Sequence, residues 1–217
     1  MICKFCKGKC IKDGFQKNGC QRYKCKCCKR KLQEEYKYNA YGQHINQSII
    51  KYNKVGVGIR GTAKLLSIST TTLLNRILLI AKKISQPPVI SNQVYEVDEI
   101  KSFVKCKKNL IWIVYTLNRK TKEVVSYNVG NRTNTTLGVV IRTLDLSKAK
   151  KIYTDKWSGY KSLINRKIHS TFNRGTNHIE RHNLTLRTHL KRLTRRSICL
   201  SRSAAILSAI LRIYFWG

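Results

Sequence analysis

The chain has 217 residues and carries 44 Lys and Arg against 10 Asp and Glu, a formal net charge of +34. So large an excess of one sign repels itself in a compact state and predicts a polyanionic partner, while 42% hydrophobic residues exclude a disordered basic tail. The sequence contains no apolar run of about 18 residues and no apolar signal region at its start, which predicts a cytoplasmic protein outside the membrane.

The cysteines predict a metal-binding module at residues 1–35. Seven of the nine cysteines lie in the first 28 residues. Cys3 and Cys6 form one C-x-x-C pair, and Cys25 and Cys28 form a second. This spacing is typical of a zinc ribbon, in which four thiolates bind one Zn²⁺. A segment this short cannot bury enough core alone, so the metal would supply its folding energy.

Two alternatives concern these cysteines. A disulfide framework is disfavoured because seven clustered thiols cannot all pair and the predicted compartment is reducing. Cys27 could replace Cys28 as a zinc ligand, Cys20 is a weaker substitute, and the role of Cys10 stays open.

After a linker at residues 31–42, residues 43–86 are predicted to form an all-α helix-turn-helix domain. We expect a helix through Ala63–Leu66, a turn at Ser67, and a second helix that Ser69 caps and that runs to about Ile84. Five apolar residues of the second helix are predicted to face the core: Leu73, Leu74, Ile77, Leu78 and Ala81.

The outward face of this second helix suits the major groove of DNA, with Thr71, Asn75 and Arg76 as the predicted DNA-binding residues. The alternative is a plain helical hairpin in a core. DNA binding is favoured because no acidic residue occurs between Tyr36 and Tyr95.

A change of pattern after Pro88 predicts an α/β domain at residues 92–217. Apolar runs predict strands at 93–97, 110–117, 123–129 and 151–154, and helices at 135–144, 177–191 and 203–215. Three antiparallel strands, a helix, a further strand and later helices follow the ribonuclease-H-like order. The predicted fold class is therefore multi-domain: a zinc ribbon, a helix-turn-helix and a ribonuclease-H-like catalytic domain.

Three carboxylates predict a metal-dependent phosphoryl-transfer site in this domain. Glu180 is the only carboxylate among the last 62 residues, which hold 13 Lys and Arg. Asp98 and Asp155 each end an apolar run, and both runs are predicted strands. Together the three acids could hold two Mg²⁺ ions that clamp the attacking and leaving oxygens of a phosphodiester displacement.

The neighbours of these acids leave some roles open. Glu96 and Glu99 are alternative ligands beside Asp98, although Glu99 points away if the strand continues. Asn183 and Arg187 share a helix face with Glu180 and are predicted to contact the phosphate backbone of DNA.

The chain resembles the transposases of the bacterial insertion-sequence-one family, of the DDE class. The similar segments cover residues 19–25, residues 59–66 leading to Ser69, Val97-Asp98-Glu99, Tyr153-Thr154-Asp155, and Ile179-Glu180-Arg181-His182-Asn183-Leu184 with Arg187.

This resemblance implies that Asp98, Asp155 and Glu180 are the catalytic triad. It further implies recognition of terminal inverted repeats, hydrolysis at the element ends, and transfer of the freed 3′-hydroxyl to target DNA. The expected partners are double-stranded DNA at the element ends and at the target. We expect a homo-oligomer on that DNA, associated with the bacterial nucleoid.

Two other functions compete with transposition. A non-catalytic zinc-ribbon and helix-turn-helix regulator would bind DNA and tolerate loss of all three acids. A structure-selective nuclease of the same fold would hydrolyse DNA and never join it.

Overall fold

The computed structural model describes residues 1–17, 19–34, 38–42, 44–172 and 174–217. These residues form two compact units, Met1–Ile45 and Asn46–Gly217. The predicted domain limits at residues 35 and 43, and residues 35–37 of the predicted linker, lie outside the described residues. The second unit contains both the segment predicted to bind DNA and the predicted catalytic domain.

The first unit contains a three-stranded antiparallel sheet of β1 (Cys10–Phe15), β2 (Gln21–Cys25) and β3 (Lys31–Gln33), in that order. A cluster of four buried residues forms its core: Cys3, Cys10, Cys25 and Leu32. So small a core buries little apolar surface, and three of its four side chains are cysteines. The fold therefore agrees with the expectation that a metal bound by its cysteines supplies folding energy to this unit.

Three helices follow: α1 (Ile45–Lys54), α2 (Ile59–Leu65) and α3 (Thr70–Lys83). Ser67, in the turn after α2, has a left-handed φ of 50°. The Ser69 hydroxyl caps α3 by accepting a hydrogen bond from the Thr72 backbone N–H at 3.0 Å, as the sequence predicts. The bend of 103° between α2 and α3 lies in the range of about 90–120° found in helix-turn-helix motifs.

No single helix of the described chain is long and apolar enough to cross a membrane, and α2 and α3 meet that test only together, as a bent pair.

The buried face of α3 differs in part from the predicted one. Leu73, Ile77 and Ala81 are buried as expected, and Ile80 is buried as well. Leu78 is 39% exposed, so its predicted core position is wrong. The predicted face accounts only for contacts within a helix hairpin. Since α3 also packs against the C-terminal helix, its buried residues include Ile80 and not Leu78.

The second unit is built on a five-stranded mixed sheet of order β6-β5-β4-β7-β8. Its strands are β4 (Val94–Val104), β5 (Cys106–Asn118), β6 (Val124–Gly130), β7 (Lys151–Tyr153) and β8 (His169–Ser170). The first three strands pair antiparallel, while β7 and β8 add in parallel. This is the predicted ribonuclease-H-like order, with β8 as a two-residue strand that the sequence pattern missed.

Four helices cover the sheet: α4 (Asn134–Leu146), α5 (Ser158–Leu163), α6 (Asn177–His189) and α7 (Ala204–Trp216). Successive side chains of a strand point to opposite faces. On β4, Tyr95 and Val97 join the core formed with α4 and α5, so Glu96 and Asp98 face the other side, where α6 lies.

Candidate catalytic site and cysteine cluster

Four cysteine sulfurs converge in the first unit. The Sγ atoms of Cys3, Cys6, Cys25 and Cys28 all lie within 4.8 Å of one another. The Cys3 and Cys28 sulfurs are 3.6 Å apart, and those of Cys6 and Cys25 are 3.4 Å apart. All nine cysteines are free thiols. Four thiolates around one point form the donor set of a structural zinc site, so the predicted ligands fit a Zn²⁺ ion.

The two C-x-x-C pairs lie in turns of the same kind. The Lys7 N–H donates to the Cys3 carbonyl at 3.0 Å, and the Lys29 N–H donates to the Cys25 carbonyl at 3.1 Å. Both lysines follow the second cysteine of their pair and have left-handed φ angles of 60° and 59°. A Cβ on Gly8 would lie 3.4 Å from the Cys25 sulfur, so this position keeps the space beside the sulfurs open.

Three other N-terminal cysteines lie outside the cluster. The four sulfurs that lie within 4.8 Å of one another include that of Cys28 and not those of Cys20 or Cys27, so neither replaces Cys28 in this geometry. Cys10 is buried in the core, and burial raises the pKa of its thiol. A neutral, buried thiol packs as a small apolar group, which gives Cys10 a structural place.

In the second unit, strand register brings Asp98 and Asp155 together. β4 pairs in parallel with β7, and the last pair is Glu96 with Tyr153. Asp98 and Asp155 each lie two residues beyond that pair, so both occupy the edge where β7 has ended. Asp155 ends its strand as predicted. The prediction that Asp98 ends a strand is wrong, because β4 continues along β5 as far as Val104.

Glu99 belongs to the same group of carboxylates. One oxygen from each of Asp98, Glu99 and Asp155 lies within 4.8 Å of the others. The sequence predicts that Glu99 points away if the strand continues. The strand does continue as far as Val104, and a Glu99 oxygen nevertheless lies with those of the two aspartates.

An arginine held between two indoles lies beside Glu99. The Arg132 guanidinium lies 4.5 Å from the Trp112 ring centroid and 4.4 Å from that of Trp157. Its Nη2 is 3.3 Å from Glu99 Oε2. The Trp157 backbone N–H donates to Asp155 Oδ1 at 2.9 Å. Contact with two indole rings holds this cation in place, so one positive charge lies next to the acids.

Two acids of this site, Asp98 and Glu99, have raised pKa values. Burial raises the pKa of Asp98 to about 6, and the charges of Asp155 and Glu180 add to the rise. Burial also raises the pKa of Glu99 to about 7, although Arg132 acts in the opposite direction. Partly buried carboxylates that lie side by side repel each other, and a bound proton or cation lowers that repulsion.

Glu180 lies near this group but is not one of the three acids whose oxygens lie within 4.8 Å of one another. It is exposed on the first turn of α6, and its Oε1 accepts a hydrogen bond from the Thr176 hydroxyl at 2.7 Å. Its charge contributes to the raised pKa of Asp98, which places it within electrostatic reach. In the described part of the chain, the acids within 4.8 Å of one another are Asp98, Glu99 and Asp155.

Glu96 has a different place from that of a metal ligand. Its side chain is fully buried and accepts hydrogen bonds from the Ile179 N–H at 2.9 Å and from His178 Nδ1 at 2.7 Å. Arg119 Nε lies 3.5 Å away. Glu96 therefore binds the N-terminal turn of α6, where a negative charge is also favoured by the helix dipole.

Asn183 and Arg187 lie on the face of α6 that is turned toward the sheet. Asn183 is 5% exposed, and its Nδ2 donates to Asp98 Oδ2 at 2.6 Å. The predicted contact of Asn183 with DNA phosphate has no support in this buried position. Arg187 is half-buried, and its Nε makes no hydrogen bond within the described residues.

The three residues of α3 predicted to bind DNA differ in exposure. Thr71 and Asn75 are exposed. Arg76 is half-buried, and its Nη1 donates to Asn46 Oδ1 at 3.3 Å. Two of the three side chains are therefore presented on the surface.

Sequence reasoning missed two residues of this site, Arg132 and Tyr115. Tyr115 is the partner of Asp98 in the β4–β5 register, and its hydroxyl donates to Asn183 Oδ1 at 2.7 Å. Counting residues along two paired strands could have found Tyr115. Arg132 lies in a loop, where no periodic pattern of helix or strand could have placed its side chain at the site.

Comparison with known proteins identifies related sequences. A family model described as IS1 transposase matches residues 92–215. Insertion element iso-IS1n protein InsB of Shigella dysenteriae is 38% identical over 116 residues, which cover 54% of this chain and 88% of that protein. Insertion element IS1 2 protein InsB of Escherichia coli (strain K12) is 40% identical over 108 residues, covering 50% of this chain and 65% of that protein.

Among solved structures, the HTLV-2 integrase catalytic core domain in complex with magnesium matches with a TM-score of 0.38 at 18% identity. The match covers 57% of this chain and 86% of that chain.

The mixed sheet and the acids at the β4–β7 edge define an enzyme of the DDE class with a ribonuclease-H-like core. The family model covers more than half of the chain. The chain therefore belongs to the IS1 transposase family, which confirms the resemblance found in the sequence.

Proposed function

We propose that this transposase cleaves DNA at the ends of its element and joins the freed 3′ ends to target DNA. The observation that carries the proposal is the convergence of Asp98 and Asp155 through the β4–β7 register, with Glu180 on the adjacent helix. The whole chain has a net charge of +34, which favours a polyanionic substrate.

Asp98, Asp155 and Glu180 would hold two Mg²⁺ ions, because carboxylate oxygens are the ligands that Mg²⁺ prefers. When bound, such ions stabilise the attacking and leaving oxygens of an in-line phosphodiester displacement. Glu99 is the alternative third ligand, since its oxygen already lies with those of the two aspartates. Arg187, half-buried on the same helix as Glu180, would hold a phosphate of the bound strand.

Recognition of the terminal inverted repeats would come from α2 and α3. The 103° bend and the Ser69 cap support a helix-turn-helix, and α3 would enter the major groove. Exposed Thr71 and Asn75 would reach base edges. Arg76 would contribute if DNA displaces its bond to Asn46.

The cysteine cluster would bind one structural Zn²⁺ and make the first unit a zinc ribbon that assists DNA binding. Its support is the mutual distance of the four sulfurs and the small core around them. We further propose that the protein acts as a homo-oligomer on DNA, in the bacterial cytoplasm and at the nucleoid.

The test is a reaction of the full-length protein with end DNA, a target plasmid and Mg²⁺, in which cleaved and joined products are counted separately. We expect Asp98→Asn and Glu180→Gln to abolish both products and to leave end binding intact. Each change keeps the side-chain shape and removes a charge that Mg²⁺ needs. Glu123→Gln is the matched control, because it removes an exposed carboxylate that lies on the surface.

The outcomes separate the competing assignments. Near-normal cleavage by Glu180→Gln together with an inactive Glu99→Gln would make Glu99 the third ligand. Cleavage without joined products in the unchanged protein would leave a nuclease. Strong end binding without any cleavage would leave a DNA-binding regulator.

A further inference from the structure

The Asn183 side chain links the candidate catalytic strand to α6. It is 5% exposed and lies between Asp98 on β4 and Tyr115 on β5. Its Nδ2 donates to Asp98 Oδ2 at 2.6 Å, and its Oδ1 accepts from the Tyr115 hydroxyl at 2.7 Å. Both ends of the amide are therefore engaged inside the protein.

The surroundings fix the orientation of this amide. If it were turned over, its oxygen would face the Asp98 carboxylate, and two acceptors would oppose each other without a proton between them. Tyr115 is fully buried, and its ring stacks on Phe215 with centroids 5.9 Å apart. His182 Nδ1 also lies 3.1 Å from the Tyr115 oxygen, so the hydroxyl is held from several sides.

Asp98 is pinned without losing its capacity to bind a cation. The Glu99 N–H donates to Asp98 Oδ1 at 2.8 Å, and Asn183 donates to Oδ2. A carboxylate has about four lone-pair sites. One bond to each oxygen fixes the plane of the group and leaves a lone pair on each oxygen for a metal ion.

We propose that Asn183 is a positioning residue that fixes the Asp98 carboxylate, and that Tyr115 fixes Asn183 in turn. This inference rests on the proposed catalytic role of Asp98. Because Glu180 precedes Asn183 by three residues on α6, the bond between Asn183 and Asp98 also sets the place of Glu180 relative to the strand. Partners that orient a metal ligand in this way commonly change metal affinity or activity by about 10–100-fold when removed.

The experiment measures end-DNA cleavage as a function of Mg²⁺ concentration, with end binding and thermal unfolding followed in parallel. We expect Asn183→Ala to bind end DNA within about twofold of the unchanged protein and to need about 10-fold more Mg²⁺ for half-maximal cleavage. Thr188→Ala, an exposed change on the same helix, is the matched control and should keep the original Mg²⁺ dependence.

Tyr115→Phe tests the second link and keeps the ring packing. It should raise the Mg²⁺ requirement in the same direction by a smaller factor. The double variant of Asn183→Ala and Tyr115→Phe should be no worse than Asn183→Ala, because both changes act on one chain of bonds. If Asn183→Ala fails to fold, Tyr115→Phe alone decides: an unchanged Mg²⁺ dependence would overturn the proposal.

Two further results would count against it. Weakened end binding by Asn183→Ala with an unchanged Mg²⁺ dependence would return Asn183 to the role of a phosphate contact. Full cleavage by Asp98→Asn would instead refute the proposed function itself, so the two failures are distinguishable.

Discussion

Replacing Asp98 by Asn should change the stability of the metal-free protein in opposite directions at low and high pH. Burial beside other carboxylates raises the pKa of Asp98 from 3.8 to about 6. The folded state then holds the proton more tightly than the unfolded state. The resulting stabilisation is complete below pH 3.8 and is lost as the pH rises through about 6. The pKa rises by about 2, and each tenfold change in proton affinity is worth about 1.4 kcal/mol, so about 3 kcal/mol of folding stability is lost near neutral pH.

The variant avoids this loss and gives up a hydrogen bond. Its uncharged amide has one acceptor oxygen for the two donors that now bind Asp98, the Glu99 N–H and the Asn183 side chain. One missing hydrogen bond costs about 1 kcal/mol. We therefore expect Asp98→Asn to be about 1 kcal/mol less stable near pH 4 and about 2 kcal/mol more stable near pH 7.5.

Urea unfolding in buffer without added divalent cations measures both differences, and about 0.3 M salt screens the long-range effect of the net charge. Glu123→Gln should give a difference that does not change sign with pH. Added Mg²⁺ should stabilise the unchanged protein more than Asp98→Asn, because binding to the folded state raises stability. Equal destabilisation of Asp98→Asn at both pH values would refute the argument that burial dominates its pKa.

Two further predictions concern the DNA-binding parts. Removal of zinc by a chelator should unfold the first unit, while the second unit keeps its own unfolding transition. Circular dichroism combined with metal analysis would measure both effects. A folded, metal-free first unit would contradict this prediction. Asn75→Ala should relax base preference at the element ends at a cost of about 1–3 kcal/mol, whereas the exposed Lys82→Ala should weaken binding alike on all sequences, as titrations with matched and altered ends would measure. Unchanged binding by Asn75→Ala would remove that residue from the recognition surface.

The order of strands and the placing of two acids could be predicted because both depend on local pattern. The run 110–117 is apolar at nearly every position and lies in β5, where Ile111 and residues 113–117 are buried while Leu110 is exposed. Asp155 follows a short apolar run, and β7 ends at Tyr153. Once β7 pairs in parallel with β4, the register alone sets Asp155 beside Asp98. A sequence pattern suffices where one strand neighbour fixes the geometry.

Contacts between distant segments could not be predicted in the same way. Glu99 joins the aspartates although it follows Asp98 on the same strand, where the alternation of side chains predicts opposite faces. Arg132 reaches Glu99 from a loop 33 positions away, held by two indoles whose meeting depends on the whole fold. Helix spacing places Asn183 on the same face as Glu180 and so predicts a contact with DNA. That spacing does not show that β4 and β5 pack against this face at Asn183.

Helix α6 ties the two proposed activities of the second unit together. Its first turn is bound by Glu96, and its middle is bonded to Asp98 through Asn183. At its end, a Cβ on Gly56 would clash with the His189 carbonyl oxygen, so the turn between α1 and α2 packs directly on the α6 backbone. Gly56 has a φ of 80°, which glycine adopts readily. DNA held by α3 would therefore lie at a set distance from the carboxylates, which would suit the proposed cleavage at the ends of the element.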